Sequence, residues 1–544
     1  MTTSLDGYLG GNEMIKRALI SVSDKTGLVE LGKALKHFQV EIISTGGTAK
    51  ILNDANIPTI SVSDYTGFPE MMDGRLKTLH PRIHGALLGR REDPKDVEEA
   101  QQYGIRWIDL VVVNLYPFQK VAQATKKHDL KDLIENIDVG GVTMIRAAAK
   151  NHEHVTVVVD PKDYPTVIQR LKENKDEPFD ASFRYRMALR GFRHTAIYDS
   201  AISETLSAYE WDGKDLARRE FPLYHSTHGK LAQELRYGEN PHQKAALYRF
   251  QVPVEKPALS ESLQGKALSF NNFLDSDAAW RCLIELPAKS TVIVKHNNPC
   301  GVGIGTTEVE SYRRAFEADP ESAFGGIVAI SGTVDAELAH LMSEHFFEII
   351  CATHFSVEAR EILQAKKNLR LILIPDPQTK GHEYRPAFEG KRIFGGYLIQ
   401  ESDVLPGFND GILGPDATVV TKRQPTANEL SAMRFAWVVA KNSKSNAVVI
   451  ASENQTLGIG CGQVNRKFAS ESASLRAKKF QNAPTKVCAS DGFFPFPDSL
   501  EYLLNSGVTA IVQPGGSIRD QQVIDACNEH NVAMICTKTR HFMH

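Results

Sequence analysis

Between residues 16 and 62 the apolar positions switch between two periods. Ala18–Val22 is a short aliphatic run that predicts a buried strand, and Leu28, Leu31 and Leu35 then recur at the spacing of one helical face behind Gly27. Val40–Ser44 predicts a second strand. Thr45-Gly46-Gly47-Thr48 turns from it into a helix carrying Ile51, Leu52 and Ala55, and Thr59–Val62 predicts a third strand. This βαβαβ order implies a parallel sheet with helices on its faces. Ile108–Leu115 and Val155–Val159 read as further buried strands, the first stopped by Tyr116-Pro117, where proline ends a ladder. Residues 182–211 read as helix.

The pattern lapses over the polar stretch 212–234, so the main domain boundary is expected near 212–230. Beyond it, strands are expected at Thr291–Val294, Ile327–Ser331, Leu371–Ile374, Ala447–Ala451, Val508–Val512 and Val532–Cys536. Residues 375–415, richer in Pro, Gly and charge, read as a long connection. Strand-to-glycine turns at Val294→Gly301 and Val512→Gly515-Gly516 hint at a tandem duplication.

The chain has 544 residues, which calls for more than one core. A net charge of −3 without a basic block argues against a nucleic-acid surface. The seven cysteines (282, 300, 351, 461, 488, 527, 536) show no C-x-x-C spacing, which suits a reducing compartment. The first thirteen residues carry no apolar h-region, and no apolar run approaches the ~20 residues of a membrane span. The expected location is the cytoplasm.

Candidate chemistry concentrates at strand ends. Thr291–Val294 delivers Lys295-His296, two amides, Pro299 and three glycines, so a cation and an imidazole are expected on a glycine-shaped loop before a helix opened by Thr307 and Glu310. In the first part, Ser21-Val22-Ser23-Asp24-Lys25-Thr26 and Ser44-Thr45-Gly46-Gly47-Thr48 are strand-to-helix corners of the kind that bind phosphate; the plain alternative is helix capping. Arg75-Leu76-Lys77-Thr78 and Asp138-Val139-Gly140-Gly141 add cations, a carboxylate and flexible backbone. Lys77 and Lys150 with Tyr116 and Asp138 would supply acid, base and oxyanion donors around one substrate. In the second part, Arg236-Tyr237 and His242 crowd one turn, Gly325 precedes a strand, and Lys444-Ser445-Asn446, Gln463, Arg466, Asp491 and Phe493 follow. Pro299-Cys300 suggests a zinc deaminase, but position 303 is Gly and no H-x-E lies upstream. His225/His228 and His152/His154 lack a third ligand, so no metal is expected.

Taken together, Ser21–Thr26, Ser44–Thr48, Gly67–His80, Asn114–Phe118, Asp138–Lys150, Arg236–Gln243, Lys295–Gly301, Ser445–Asn446, Gly458–Arg466 and Asp491–Asp498 resemble the bifunctional purine biosynthesis family. That family joins phosphoribosylaminoimidazolecarboxamide formyltransferase to IMP cyclohydrolase. The resemblance implies an α/β protein: an N-terminal extension over 1–15, a methylglyoxal-synthase-like parallel-sheet cyclohydrolase domain over 16–220, and a cytidine-deaminase-like tandem α/β transformylase domain over 221–544, without zinc. It implies a homodimer acting on small molecules: AICAR (an aminoimidazole carboxamide ribonucleotide), its formylated product, and 10-formyltetrahydrofolate as co-substrate. Lys295 and His296 would be the transformylase pair, with Asn446 holding the base or the carboxamide. Arg236, Tyr237, His242, Gly325, Gln463 and Arg466 would serve the nucleotide, and Asp491 and Phe493 would border the folate. Lys77, Tyr116, Asp138 and Lys150 match the cyclohydrolase positions. Ser21, Ser23, Lys25, Thr26, Ser44–Thr48, Arg75, Thr78, Asn114, Gly140 and Gly141 would line its nucleotide. Glu348 stands where some relatives carry aspartate. A competing reading is a nucleotide-sensing module, since methylglyoxal-synthase-like domains also serve as effector domains.

Overall fold

The computed structural model describes residues 14–124, 130–174, 177–211, 216–250, 259, 261–380, 386–405 and 413–544. The expected N-terminal extension lies outside them except for its last two positions, as do residues 212–215 of the expected boundary. The chain forms two compact units, Met1–His228 and Gly229–His544.

The first unit is built on five strands, β1 (Arg17–Val22), β2 (Glu41–Ser44), β3 (Ile60–Ser61), β4 (Leu110–Asn114) and β5 (Thr156–Val158), all parallel in the order β3-β2-β1-β4-β5. Strands buried on both faces read as continuous apolar runs, as Leu110–Val113 does. Alternate residues serve opposite layers: Leu19, Ile43, Val111 and Val113 pack on one face, Ala18, Ile20, Ile42, Leu110 and Val112 on the other. Each fully buried Leu or Ile contributes about 1.5–3 kcal/mol. The connections reverse direction between β1 and β4, and at such a switch point the strand ends leave a crevice.

Two local expectations give way here. The strand expected at Thr59–Val62 is only Ile60–Ser61, because the Ser61 hydroxyl accepts from Asp64 N at 3.0 Å and opens the short helix Val62–Thr66. The helix expected to run to 211 spans Ala181–Ser207. Tyr209–Trp211 (β6) instead pairs antiparallel with Leu216–Arg218 (β7).

In the second unit, the hairpin β8 (Gly229–Leu235) and β9 (Ala245–Phe250) precedes two six-stranded sheets. One has the order β10-β15-β14-β13-β11-β12, from β10 (Glu261–Gln264), β11 (Ser290–Lys295), β12 (Asn298–Ile304), β13 (Ile327–Val334), β14 (Ile349–Phe355) and β15 (Arg370–Leu373). The stretch expected as a long connection contains the hairpin β16 (Phe388–Ile393) and β17 (Gly396–Glu401). The second sheet has the order β18-β23-β22-β21-β19-β20, from β18 (Thr418–Val419), β19 (Val448–Ala451), β20 (Thr456–Gly460), β21 (Val487–Ser490), β22 (Ala510–Gln513) and β23 (Ala533–Cys536).

The two sheets repeat one design. Each has a parallel trio (β13–β15, β21–β23) flanked by antiparallel strands on both sides. The duplication therefore matches Val294→Gly301 with Ala451→Gly458. The expected partner, Val512→Gly515, belongs to β22, the counterpart of β14.

The glycine run after Pro299 is a strand, not a loop. A Cβ on Gly301 would lie 1.9 Å from Ala315 O, and one on Gly303 would lie 2.4 Å from Ser311 O, both in the helix Glu308–Ala318. Gly458 and Gly460 meet the helix Arg466–Ala477 in the same way, at 2.1 Å from Ala473 O and 2.1 Å from Ala469 O. These glycines let a helix backbone lie directly on an edge strand.

The edge strands β12 and β20 then meet each other. Gly303 and Gln455 form an antiparallel bridge, Ile304 N donates to Asn454 O at 2.8 Å, and Val302 N donates to Thr456 Oγ1 at 2.9 Å. One core joins both halves, with Trp280 and Val292 from the first and Trp437 and Val449 from the second. The antiparallel pairings bring the C-terminal end of β11 to the N-terminal end of β19, where Lys444 N donates to Asn298 Oδ1 at 2.9 Å.

Candidate functional sites

In the first unit the corners after β1, β2 and β4 share one sheet edge. Asn114 fastens two of them: its Oδ1 accepts from Ser23 N at 2.6 Å and Asp24 N at 2.8 Å. The Ser21 and Thr45 hydroxyls hydrogen-bond each other at 3.0 Å. Thr45 N-caps the helix Gly46–Asp54 without a side-chain cap bond, and Gly27 does so for the helix Leu28–His37. The capping alternative therefore fails at both helices. The first-turn N–H groups of the 46–54 helix, with its dipole, face the corner unconsumed by a side-chain cap.

Lys77 supplies a cation there. Its Nζ is 3.4 Å from Glu70 Oε2 and would be 3.8 Å from a Cβ on Gly46. Thr78 Oγ1 would be 2.7 Å from a Cβ on Gly140, so the loop entering the helix Gly140–Lys150 closes over Thr78. Asp138 sits in that loop, its Oδ1 accepting from Gly141 N at 2.7 Å. Burial pushes the Asp138 carboxyl above the usual carboxylate range, against the opposing N–H groups of Gly141 and Tyr116. Tyr116 itself is exposed. Lys25 Nζ donates to Val22 O and, at 2.8 Å, to Thr48 Oγ1, and burial lowers its pKa.

Several residues expected in this site are engaged within the chain or placed at its margins. Lys150 ends the 140–150 helix, so at 1.5 Å per residue its backbone lies about 15 Å from that of Gly140. Ser44 is fully buried and its Oγ donates to Ile20 O at 2.8 Å. Asn114 is buried with its amide engaged by the chain, Thr26 bonds Asp24 in a local turn, and Arg75 pairs with Glu135. Gly47 opens the 46–54 helix beside Gly46.

In the second unit, β11 and β12 are joined by the turn Lys295–Asn298. His296 and Asn297 have φ of 54° and 63°, the double left-handed conformation of a type I′ hairpin. Lys295 Nζ donates to Phe324 O, and Gly325, at φ 69°, leads into β13. His296 is exposed. The starts of β14 and β15 lie alongside: Glu348 Oε2 accepts from Asn272 Nδ2 at 2.8 Å and is 3.8 Å from Arg370 Nη1. Arg370 in turn feels Arg236 and Tyr237 of the β8–β9 loop, where the Arg236 guanidinium lies 5.5 Å over the Tyr237 ring. His242 is exposed on the same loop. The site thus unites Lys295, His296, Gly325, Arg236 and Tyr237 with Asp275, Asn272, Glu348 and Arg370. Motif reading had left out Asp275, Asn272 and Arg370, and the one local signal for them was the capping box Ser269–Asn272 that starts the helix Phe270–Leu283.

Across Asn298 the second sheet adds an interior network. Arg466 is buried and donates to Asp491 Oδ1 at 2.5 Å, Ser490 Oγ at 2.7 Å and Asn446 Oδ1 at 2.6 Å. Asn446 Nδ2 donates to Gln463 O at 2.7 Å. Arg466 therefore ties Asp491 and Asn446 together, while Asp491 Oδ2 is buried without a hydrogen-bond partner. Of the two phenylalanines, Phe494 is core and Phe493 is 39% exposed.

Among the described residues no group of three His, Cys, Asp or Glu could hold a metal. His154 pairs with Glu92 and His225 with Glu204, each at 2.8 Å. Burial pushes the Cys300 thiol up to about 12.

A family model described as AICARFT/IMPCHase bienzyme matches residues 148–476, more than half of the chain, and one described as MGS-like domain matches residues 27–143. A solved structure described as "Crystal structure of ForH" is 34% identical over 35% of this chain and 99% of its own, with a TM-score of 0.32.

Proposed function

The chain belongs to the AICARFT/IMPCHase bienzyme family, and from that premise we propose how its residues divide the two reactions. The protein transfers a formyl group from a formyl-folate to AICAR and closes the formylated nucleotide to IMP, in purine biosynthesis. Formyl transfer belongs to the Gly229–His544 unit, with 10-formyltetrahydrofolate as donor. The aromatic amine of AICAR is a weak nucleophile, so His296 takes its proton as the new C–N bond forms. Lys295 neutralises the tetrahedral oxyanion and helps return a proton to the folate nitrogen as its C–N bond breaks. Arg236 and Arg370 supply positive charge for the nucleotide.

Cyclisation belongs to the first unit. The carboxamide nitrogen attacks the formyl carbon and water leaves, a reaction served by positioning and proton traffic. Lys77 and the 46–54 helix N-terminus anchor the anion, with Ser21, Ser23, Thr45 and Thr48 around them. Asp138, with its raised pKa, carries protons beside Tyr116 and Thr78. The observation that carries this division is that each unit has its own strand-end cluster of a lysine and a proton carrier, Lys77 with Asp138 and Lys295 with His296.

A homodimer is part of the reading. Phe388, Ile393, Phe394, Tyr397 and Leu398 stand exposed on the β16–β17 hairpin, an apolar face suited to a second copy. A cytoplasmic location fits seven unpaired cysteines. No described helix is long and apolar enough to cross a membrane.

The test is a paired assay. His296→Ala is expected to lose formyl transfer yet cyclise supplied formyl-AICAR, and Lys77→Ala to do the reverse. Loss of both activities in either folded variant overturns the division. Sedimentation of Phe394→Glu, expected to run as a monomer, tests the dimer.

A further inference from the structure

The Lys295–Asn298 turn and its counterpart in the second sheet differ in a way that points to one side chain. The registers of the two hairpins match Gly301 with Gly458 and Gly303 with Gly460, so Ser452–Gln455 is the counterpart turn and Glu453 stands where the first half has His296. The first turn has two consecutive left-handed residues that are not glycine, whereas neither Glu453 nor Asn454 has a positive φ. Such backbone persists only where the surroundings hold it.

What holds it is Asp275, on the 270–283 helix. Its Oδ1 accepts from Asn297 N at 2.6 Å, and its carboxylate feels the charge of His296. With its amide turned to satisfy its donors, Asn297 adds contacts at 3.1 Å to Asp275 Oδ1 and 3.1 Å to Leu274 O. The capping boxes Ser269–Asn272 and Thr426–Glu429 align the two helices and place Ala432 at the position of Asp275. Where the turn is ordinary, the carboxylate is absent.

We infer that Asp275 is a positioning residue for formyl transfer: it clamps the His296–Asn297 turn through the Asn297 backbone N–H, and its negative charge favours the imidazolium that forms when His296 takes the amine proton. The inference rests on His296 being the base. The charged groups around the turn are Lys295 on the turn itself, Asp275, Glu348 and Arg370 at the starts of β14 and β15, and Lys444 before β19. Asp275 and His296 attract each other, while Glu348 opposes the charge on Asp275. Removing the carboxylate charge therefore removes an attraction that the transition state gains as the proton arrives on His296.

The test compares wild type, Asp275→Asn, Asp275→Ala and His296→Ala in the full-length protein, with pH profiles of formyl transfer and, separately, cyclisation of supplied formyl-AICAR. Asp275→Asn keeps an acceptor oxygen but not the charge. Its kcat for transfer is expected to fall about tenfold, with KM for AICAR little changed and cyclisation unaltered. Asp275→Ala, which also frees the turn, is expected to lose more of kcat. An Asp275→Asn profile superimposable on wild type, while His296→Ala is inactive in transfer, overturns this inference and leaves the site reading standing. Normal transfer by His296→Ala overturns both.

Discussion

In the first sheet of the second unit, the strand starts beside the Lys295–Asn298 turn leave charged groups half open; in the second sheet the matching position is sealed. Asn272 and Glu429 are the third residues of two matched helices. Asn272 reaches Glu348, whose side chain is 45% exposed. Glu429, 5% exposed, accepts from both arms of Arg423 at 2.8 and 2.9 Å and from Thr509 Oγ1 at 2.6 Å. Burial pushes the Glu429 carboxyl up, but these donors outweigh it and bring its pKa down to about 2. At the opposite sheet ends the roles reverse. The Arg466–Asp491 pair of the second half corresponds to a neutral bond in the first, Ser331 Oγ accepting from Ser290 N at 3.0 Å. A duplicated fold offers two equivalent turns. Here the strand starts of one sheet hold a half-open charged cluster, and those of its twin hold a buried ion pair.

The largest expected effect breaks that comparison at its functional end. His296→Ala should lower the rate of formyl transfer by about 10²–10⁴-fold, the range for a positioned base, while Glu453→Ala leaves it unchanged in the same assay. Equal losses in both variants would make the two turns functional equals.

Next comes the sealed end. Glu429→Gln should cost about 3 kcal/mol at pH 7, read as a lower urea midpoint, because it unpairs Arg423 inside the protein. The folded pKa of about 2 lies below the ordinary glutamate value of 4.5, so this stability is present above about pH 4.5 and is lost as pH falls toward 2. The gap between variant and wild type should therefore narrow between those pH values.

The smallest expected effect concerns the glycines. Gly301→Ala and Gly458→Ala should each destabilise by about 1–3 kcal/mol, since both push a methyl against helix backbone. Thermal melts of the two should shift alike. A Gly301→Ala protein of wild-type stability that no longer binds AICAR would restore the glycine run as a ligand loop.

Much of the framework was legible because it is written locally. Leu28, Leu31 and Leu35 on one helical face and the unbroken Leu110–Val113 run needed no distant partner to be read. The glycines at 301, 303 and 305 misled for a physical reason. Glycine usually marks a turn, but here the missing side chains face a helix that arrives later in the chain. The Lys295-His296 pair was visible as a strand end carrying charge. Asp275, Glu348 and Arg370 reach it only through the 270–283 helix and the parallel pairing of β14 and β15, and no local pattern encodes that meeting.

The bridge between Gly303 and Gln455 has a further consequence, for folding. Each half ends in a strand whose outer N–H and C=O groups would be free to recruit another chain, and each covers the other's exposed edge. Trp280 and Trp437 are likewise buried in the core that both halves share. Parting the halves would expose that core and both strand edges at once, so the unit is expected to unfold as one cooperative block.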